Sequence, residues 1–313
     1  MIKAVAIGYL SKVSTGNVNA SHTEGNVVVA KKVTLPDGSS LPYISGQALR
    51  RMLRDRLADL GFSLSEPFAE VSGQEVTPPA RPWEFIDEDL FGYLDASGMK
   101  RRTSPVRVSA AIGLYPYQGD RDLGTRSFER FNQSMESGGN MFETEVYANV
   151  FRGSILIELD RVGVFTSREL GEKSSEDQVR MLDHPERTKR MQALFEALGL
   201  LWGGGRTARM LADLSPKFLA VSFLSVKHPV FLEALTARYE NGGIVLHLEP
   251  LKAALERFAP YRQKTVFGMD PGFLANEGDV RTALSAYAEV VSVQEAIRRA
   301  KDEVKALWSG PSA

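Results

Sequence analysis

The sequence predicts an α+β fold in which an antiparallel sheet carries helices on one face. Strand-like and helix-like patterns follow one another in the order strand, helix, strand, strand, helix, strand, which is the order of a ferredoxin-like or RRM-like sheet. The composition is that of a globular protein, with 43% hydrophobic and 25% charged residues among 313. Two stretches, 62–102 and 113–143, fit neither pattern and are expected to be insertions in this body.

The first half of the sheet is predicted within residues 1–61. Alternating apolar residues predict a strand over 2–10, a polar loop follows over 11–26, and β-branched residues predict a strand over 27–33. A helix is expected to start after the N-cap Ser45 and to end at Gly61. Apolar residues at helical spacing are expected to face the core, namely Leu49, Met52, Leu53, Leu57 and Leu60.

The rest of the body is predicted within 103–112 and 144–313. Strands are expected over 103–112 and 144–160, and a helix near Asp183, with Pro185 in its first turn and Glu186 completing a capping pattern. Further strands are expected over 217–226 and 243–249, and helices over 250–258 and 279–308. The predicted organisation is a palm in three pieces (1–61, 103–112 and 144–313), a fingers-like insertion (62–102) and a thumb-like projection (113–143).

Charge is distributed unevenly along the chain. The net charge is −1, but residues 1–56 carry +5 and residues 59–95 carry −8. Such alternation predicts a basic groove on a body with acidic surfaces, and a solvated surface of uneven charge is the alternative. Three consecutive acids, Asp87, Glu88 and Asp89, are expected to form a solvated acidic face because neighbours in an element point apart.

Several classes of protein are disfavoured. The chain has no cysteine, so disulfides and thiolate metal sites are excluded. The four histidines have no metal-ligand spacing, and no nucleophile elbow occurs. We therefore expect no cofactor and no metal. No apolar run approaches the ~20 residues of a membrane span, so a soluble, cytoplasmic protein without membrane contact is expected.

A glycine-rich run follows the second helix, with the sequence Gly203-Gly204-Gly205-Arg206-Thr207-Ala208-Arg209. It matches G-x-G-x-x-A formally, but a helix and not a strand precedes it, so the dinucleotide-binding interpretation is rejected. Glycines leave backbone N–H groups open to a phosphate, and Arg206 and Arg209 would add charge. A plain turn at the end of the helix is the alternative.

The helix after Ser45 has a basic face. Gln47, Arg51 and Arg54 share one side, and Arg50 lies beside them. Cations near a helix N-terminus oppose the helix dipole, and the first two turns contain no acid. We therefore expect an external anion, such as a phosphate, to balance them. A solvated helix surface is the alternative.

Four blocks of sequence resemble one family when taken in order. They are 17–33 with 41–54, 102–109, 145–150, and the glycine-rich run with Leu214-Ser215-Pro216. This ordered set is similar to the DevR-type Cascade backbone subunit, the seventh Cas protein of type I CRISPR systems (type I-B-like) and a member of the RAMP superfamily.

The resemblance implies a modified RRM palm with fingers and thumb, and a role in antiviral defence. Copies would polymerise along crRNA as a helical filament with other Cascade subunits, leaving the guide's bases free to pair with target DNA. The thumb would insert Met141 or Phe142 between bases. The RNA contacts implied by motif are Ser45, Gln47, Arg50, Arg51, Arg54, Gly204, Gly205, Arg206 and Arg209, with Asn17, Asn19 and Lys32 as weaker candidates.

The expected function is RNA binding without catalysis. Type III relatives of the family cut target RNA with a loop aspartate, and no aspartate lies between Met1 and Lys32. The alternative is a RAMP-superfamily endoribonuclease acting on CRISPR or target RNA, with His22 as its acid or base beside Glu24. A third possibility is an RRM-like interaction module with no RNA partner.

Overall fold

The computed structural model describes residues 1–65, 68–69, 76–95, 98–126, 140–171, 179–203 and 210–309. The strands in these ranges are β1 (Ala4–Gly16), β2 (Ala20–Glu24), β3 (Val27–Ala30), β4 (Lys32–Thr34), β5 (Ser40–Ile44), β6 (Phe68–Ala69), β7 (Val76–Thr77), β8 (Tyr93–Asp95), β9 (Lys100–Arg102), β10 (Val106–Val108), β11 (Ala111–Gly113), β12 (Gly119–Arg126), β13 (Asn140–Glu158), β14 (Val164–Thr166), β15 (Val179–Met181), β16 (Trp202–Gly203), β17 (Ala212–Asp213), β18 (Phe218–Leu224), β19 (Ala237–Glu240), β20 (Gly243–Leu246), β21 (Arg262–Met269) and β22 (Val290–Val291). The helices are α1 (Gly46–Asp59), α2 (Ile86–Phe91), α3 (Ser167–Leu170), α4 (His184–Gly199), α5 (Leu248–Arg257), α6 (Glu277–Leu284) and α7 (Val293–Trp308), with a 3₁₀ turn at Ala259–Tyr261.

The chain forms a large, mostly antiparallel sheet with helices packed on it, so the predicted α+β class is confirmed. The strands run in the order β22, β21, β18, β1, β13, β11, β5, β4, and β10 also pairs with β13. β1 lies between β13 and β18 and is antiparallel to both. β22 joins β21, and β3 joins β13, in parallel.

Helices cover both faces of the sheet, not one. Along β1, Val5, Ile7 and Tyr9 enter the core formed with α1, α4 and α7. Ala6 and Leu10 point to the other face and enter a second core that includes residues of α5 and α6. The alternation follows from the two-residue period of a strand, and both of its phases are apolar because both faces are buried.

The strands that differ from the sequence prediction include β1 and β21, two long strands of the main sheet. β1 continues to Gly16 where a polar loop was expected over 11–26, and its register runs from Ala4 opposite Glu158 to Gly16 opposite Tyr147. The long neighbouring strand β13 supplies the pairing that local propensity does not. β21 was not predicted, because its first half is polar, yet it pairs with β18 along its length.

The boundaries of α1 follow the local sequence. The Ser45 side chain accepts a hydrogen bond from the Ala48 N–H at 3.3 Å, and Gly61 has a φ of 85° just after the helix. Four of the five predicted core residues are buried and Leu60 is partly buried. In α4, Asp183 caps the helix by accepting from the Glu186 N–H at 2.8 Å, as predicted.

The three consecutive acids are buried, which corrects the expected solvated face. The Asp87 carboxylate accepts from the backbone and hydroxyl of Ser65 at 2.9 and 2.7 Å. Glu88 accepts from the Ala80 and Arg81 N–H groups, which lie within the same insertion. Their side chains point apart, as expected, but each meets a different internal donor instead of water.

The last of these acids joins the insertion to the body. The Asp89 carboxylate accepts from Arg102 Nη2 at 2.6 Å and from Arg190 Nη1 on α4 at 2.9 Å. The Gly163 N–H also donates to it at 3.0 Å. All three charged side chains are almost fully buried. This ion-paired triad therefore fixes α2 against α4.

None of the helices in the described ranges combines the length and apolar character needed to cross a bilayer.

Candidate nucleic-acid interface

A groove of about 460 Å³ runs beside α1, and we call it the α1 groove. Its walls are the turn between β1 and β2, one face of α1, and the short strand β16. The lining residues are Val18, Asn19, Ala20, Ala48, Arg51, Met52, Asp55, Arg56, Trp202 and Gly203. The structure thus brings together segments about 150 residues apart that the sequence singled out separately.

Arg51 is the exposed cation of this groove, with 78% of its side chain accessible. Its Nε donates to Asp55 one turn later at 2.9 Å. An exposed i,i+4 pair contributes only about 0.3–0.5 kcal/mol, so the guanidinium exchanges partners at little cost. Gln47, one turn earlier, is also exposed. These two residues lie where the sequence placed them, on the solvent side of α1.

Arg50 and Arg54 face the insertion instead. Arg50 Nη2 donates to the Phe91 backbone carbonyl, and Arg54 Nε lies 3.4 Å from the Asp87 carboxylate. Arg54 also stacks over the Phe91 ring at 4.9 Å. Burial, helped by the charge of Arg54, lowers the pKa of Arg50. Asp87, 33 positions further along the chain, therefore supplies Arg54 with a carboxylate from within the protein, which the local sequence did not show.

Arg56 and Trp202 form a stacked pair that the sequence did not indicate. The Arg56 guanidinium lies 4.5 Å from the centre of the Trp202 ring and donates to the Trp202 carbonyl at 3.3 Å. Asp59 accepts from its Nε at 2.7 Å. Trp202 remains 41% exposed. The position of Trp202, directly before the glycine-rich run in the sequence, could have indicated that this residue belongs to the site.

The turn after β1 is tied to the start of α1. Asn19 Oδ1 accepts from the Ser45 N–H at 2.9 Å, so Asn19 positions the helix start. Asn17 is 3% exposed, and neither its amide nitrogen nor its amide oxygen has a hydrogen-bond partner. A buried amide without partners is costly and leaves donor and acceptor capacity unused beside the groove.

Lys32 is engaged within the protein. Its Nζ contacts the two Glu145 oxygens at 3.1 and 2.9 Å and lies 4.2 Å from the centre of the Tyr117 ring. Burial raises the pKa of Glu145, but hydrogen bonds from Lys32 and from the Ala30 backbone outweigh it and hold the pKa below its usual value. Lys32 therefore anchors β4 to β13, and its charge is compensated.

The glycine-rich run starts at the end of the α1 groove. Gly203 has a φ of 151°, and a Cβ there would lie 3.0 Å from Met52 Cγ of α1, so glycine allows the close approach. The candidates Gly204, Gly205, Arg206 and Arg209 lie outside the described residues. Within the described residues, the structure therefore establishes only the start of the run, at Gly203 on β16.

The predicted thumb is a long β-hairpin. β12 pairs with the first part of β13 from Gly119 opposite Tyr147 to Arg126 opposite Asn140, and 127–139 lie outside the described residues. Met141 is 59% exposed. Phe142 is partly buried and covers Gly124 on the opposite strand. Of the two predicted wedge residues, Met141 presents the accessible apolar side chain.

His22 lies on β2 and not in a loop. Its Nε2 lies 3.0 Å from Glu24 and its Nδ1 lies 3.1 Å from the Ser21 hydroxyl, and all three side chains are exposed. Among the described residues, no group of three or more histidine and acidic side chains is arranged to hold a metal ion.

Two solved structures have a similar fold. A chain described as "CRISPR RNA-guided surveillance complex, pre-nicking" has a TM-score of 0.62 and 13% identity, covering 95% of this chain and 100% of that one. A chain described as "CRISPR RNA-guided surveillance complex" has a TM-score of 0.59 and 15% identity, covering 95% and 99%. The protein thus shares its fold with chains of CRISPR surveillance assemblies.

The sequence comparison is more specific. Residues 83–241, just over half of the chain, match the family described as "CRISPR-associated negative auto-regulator DevR/Csa2". The protein therefore belongs to the DevR/Csa2 family, as its sequence blocks predicted. The matched range extends from the insertion through the hairpin and the glycine-rich run to β19. Comparison with curated protein sequences gives no match.

Proposed function

We propose that this protein is a non-catalytic crRNA-binding backbone subunit of a type I Cascade surveillance complex. The observation that carries the proposal is the α1 groove, where Arg51, the Asn19 turn and the start of the glycine-rich run meet. A guide strand lying in this groove would meet the exposed Arg51 guanidinium for its phosphates, the partly exposed Trp202 ring for stacking, and the glycine-rich run proposed to bind phosphate.

The strand order is compatible with an RRM-like palm. β18, β1, β13 and β10 are neighbours and antiparallel, which is the 4-1-3-2 order of a ferredoxin-like sheet, and α1 and α4 lie on one of its faces. In this assignment, 62–102 is the fingers and the β12–β13 hairpin is the thumb. Successive copies would line up along the guide in the cytoplasm as a filament, with other Cascade subunits, and hold its backbone while its bases pair with target DNA.

The geometry narrows the set of residues proposed to contact RNA. Arg51 and Gln47 are proposed as the main RNA contacts, and Trp202 is added to them. Arg50 and Arg54 are proposed to act indirectly, by fixing the insertion to α1. The glycine-rich run remains the proposed phosphate cradle, and Asn17 remains a weaker candidate because its amide is buried.

The test is a charge reversal at Arg51. Arg51→Glu removes an exposed cation without breaking a buried contact, so the protein should fold normally and co-purify with at least tenfold less RNA than the wild type. Arg298→Glu is the matched control, because Arg298 is also an exposed helix arginine with an i,i+4 acidic partner. The log–log salt slope of RNA affinity should also become shallower by about 0.7 for each phosphate that the variant no longer neutralises.

The result that refutes the site is equal RNA content in Arg51→Glu and wild type. Sequencing the co-purified RNA tests the function itself, since a repeat-derived handle joined to spacer sequences is expected. RNA of random origin would contradict the crRNA proposal.

The alternative function is a RAMP endoribonuclease. The observation that favours it is the exposed His22 imidazole beside Glu24 at 3.0 Å, a pairing that orients the ring. Incubation with labelled repeat and spacer RNA separates the two functions. Specific cleavage by the wild type that disappears in His22→Ala would replace the non-catalytic proposal.

A further inference from the structure

A second groove, of about 420 Å³, lies on the sheet face opposite α1, and we call it the tyrosine groove. It lies next to the part of β1 that the second core no longer covers. Leu10 is fully buried, whereas Lys12, two residues on and on the same face, is exposed. Tyr115, Tyr239, Gly242 and Gly272 line the groove together with Lys12.

Two tyrosines, Tyr115 and Tyr239, form one wall of this groove. Their rings are edge to face, with centroids 6.5 Å apart and an interplanar angle of 79°. Tyr239 is 65% exposed and lies on β19, which pairs with β20 in a short hairpin. An exposed ring supported at its edge by a second ring is a fixed stacking platform.

The polar groups of the groove suit an anionic ligand with unpaired bases. Lys12 brings a positive charge, and none of the described lining residues is acidic. The Tyr115 hydroxyl is buried and has no hydrogen-bond partner. Burial, helped by Tyr239, raises the pKa of Tyr115, so this hydroxyl keeps its proton and remains a donor.

Two glycines at the edge of the groove have no side chains that would cover it. Gly242 and Gly272 have φ values of 81° and 74°, and a Cβ on either would meet no atom within 4 Å. Gly242 follows Asn241, which also has a positive φ, in the two-residue turn between β19 and β20. Such a turn holds Tyr239 on a rigid hairpin, so little ordering entropy is lost when a ring stacks on it.

We propose that the tyrosine groove is a second binding site, which takes an unpaired nucleobase of single-stranded nucleic acid by stacking on Tyr239, with Lys12 contacting the adjacent phosphate. The site lies on the opposite side of the sheet from the α1 groove. It therefore serves a strand, or a part of a strand, other than the one in the α1 groove.

The test uses the full-length protein with whatever RNA it retains on purification. The probes are 5-iodouracil-substituted oligothymidylate and oligouridylate. Long-wavelength irradiation should cross-link them to Tyr239 or Tyr115, and peptide mapping locates the adduct. Tyr239→Ala should weaken probe binding by about tenfold, the factor that corresponds to about 1.4 kcal/mol of stacking energy. Tyr239→Phe, which keeps the ring, should bind like the wild type.

Matched variants make the result specific. Tyr261→Ala removes another exposed tyrosine, 45% accessible and outside the groove, and should have no effect. Lys12→Glu should weaken binding and flatten its salt dependence. Weaker binding of the DNA probe, the RNA probe or both in Tyr239→Ala supports the site. The probe that is affected shows whether the site takes DNA, RNA or either.

Two outcomes overturn the site. One is probe binding that is equal in wild type, Tyr239→Ala and Lys12→Glu. The other is cross-links that map only outside the groove. Arg51→Glu separates this inference from the proposed function, because that variant should lose co-purified RNA and keep the Tyr239 cross-link.

Discussion

Replacing Asp89 with asparagine should destabilise the whole fold. The side chain is fully buried and its carboxylate contacts the guanidinium groups of Arg102 and Arg190 at 2.6 and 2.9 Å. Asparagine keeps the shape but removes the charge, and one of its terminal atoms becomes a donor facing a donor. Two buried cations then lose a shared counter-charge, an effect that costs about 3–5 kcal/mol in comparable sites.

The lower end of that range applies here. Arg102 keeps a contact to Glu169 at 3.1 Å and Arg190 keeps one to Glu186 at 3.0 Å, so neither guanidinium is left without an acid. We therefore expect a loss of about 3 kcal/mol, which for a chain of this size lowers the melting temperature by roughly 5 °C.

Urea unfolding and thermal scanning of the purified protein measure this change. Asp302→Asn is the control, because Asp302 is an exposed partner of Arg298, and it should shift stability by no more than about 0.5 kcal/mol. A loss below about 1 kcal/mol in Asp89→Asn would mean that the triad does not hold the insertion to α4.

Two further predictions concern the surroundings of the α1 groove. The folded-state pKa of Glu145 lies below its unfolded value of about 4.3, so its ionised form stabilises the fold above that pH, and this contribution is lost as the pH falls through the folded-state pKa. The urea midpoints of wild type and Glu145→Gln should therefore differ at pH 7 and converge towards pH 3. A difference that stays constant with pH would contradict this role of Glu145. Gly46→Ala should destabilise the protein by about 1–3 kcal/mol despite the high helix propensity of alanine, because the new Cβ would overlap the Val108 carbonyl oxygen. An unchanged melting temperature in calorimetry would exclude that overlap.

Local signals were sufficient for the elements with strong periodicity. The α1 helix was predicted with its cap and core face, because a 3.6-residue apolar repeat and a serine cap are properties of a short segment. β13 and β18 were predicted from their alternation or apolar runs. β21 was missed, because its polar first half becomes a strand only by pairing with β18.

For the candidate site on α1, the sequence indicated which residues share a face but not which of their charges are free. The sequence placed four polar or basic residues on α1, and all four lie away from its buried stripe. It did not indicate which of them meet solvent. Their exposure depends on α2, more than 30 positions away, because its Asp87 accepts a hydrogen bond from Arg54 and its Phe91 carbonyl accepts one from Arg50.

The amino-acid sequence was enough to predict the α+β class, the family, the cap and core face of α1, and the position of the hairpin. These follow from periodicity, turn residues and motif order, which are local properties of the chain. The tertiary structure decided that Asp87, Glu88 and Asp89 are buried, that Lys32 is paired, and that Arg51 is the exposed arginine of the α1 groove. Charge compensation and burial depend on which segments meet in space, and long-range packing sets both.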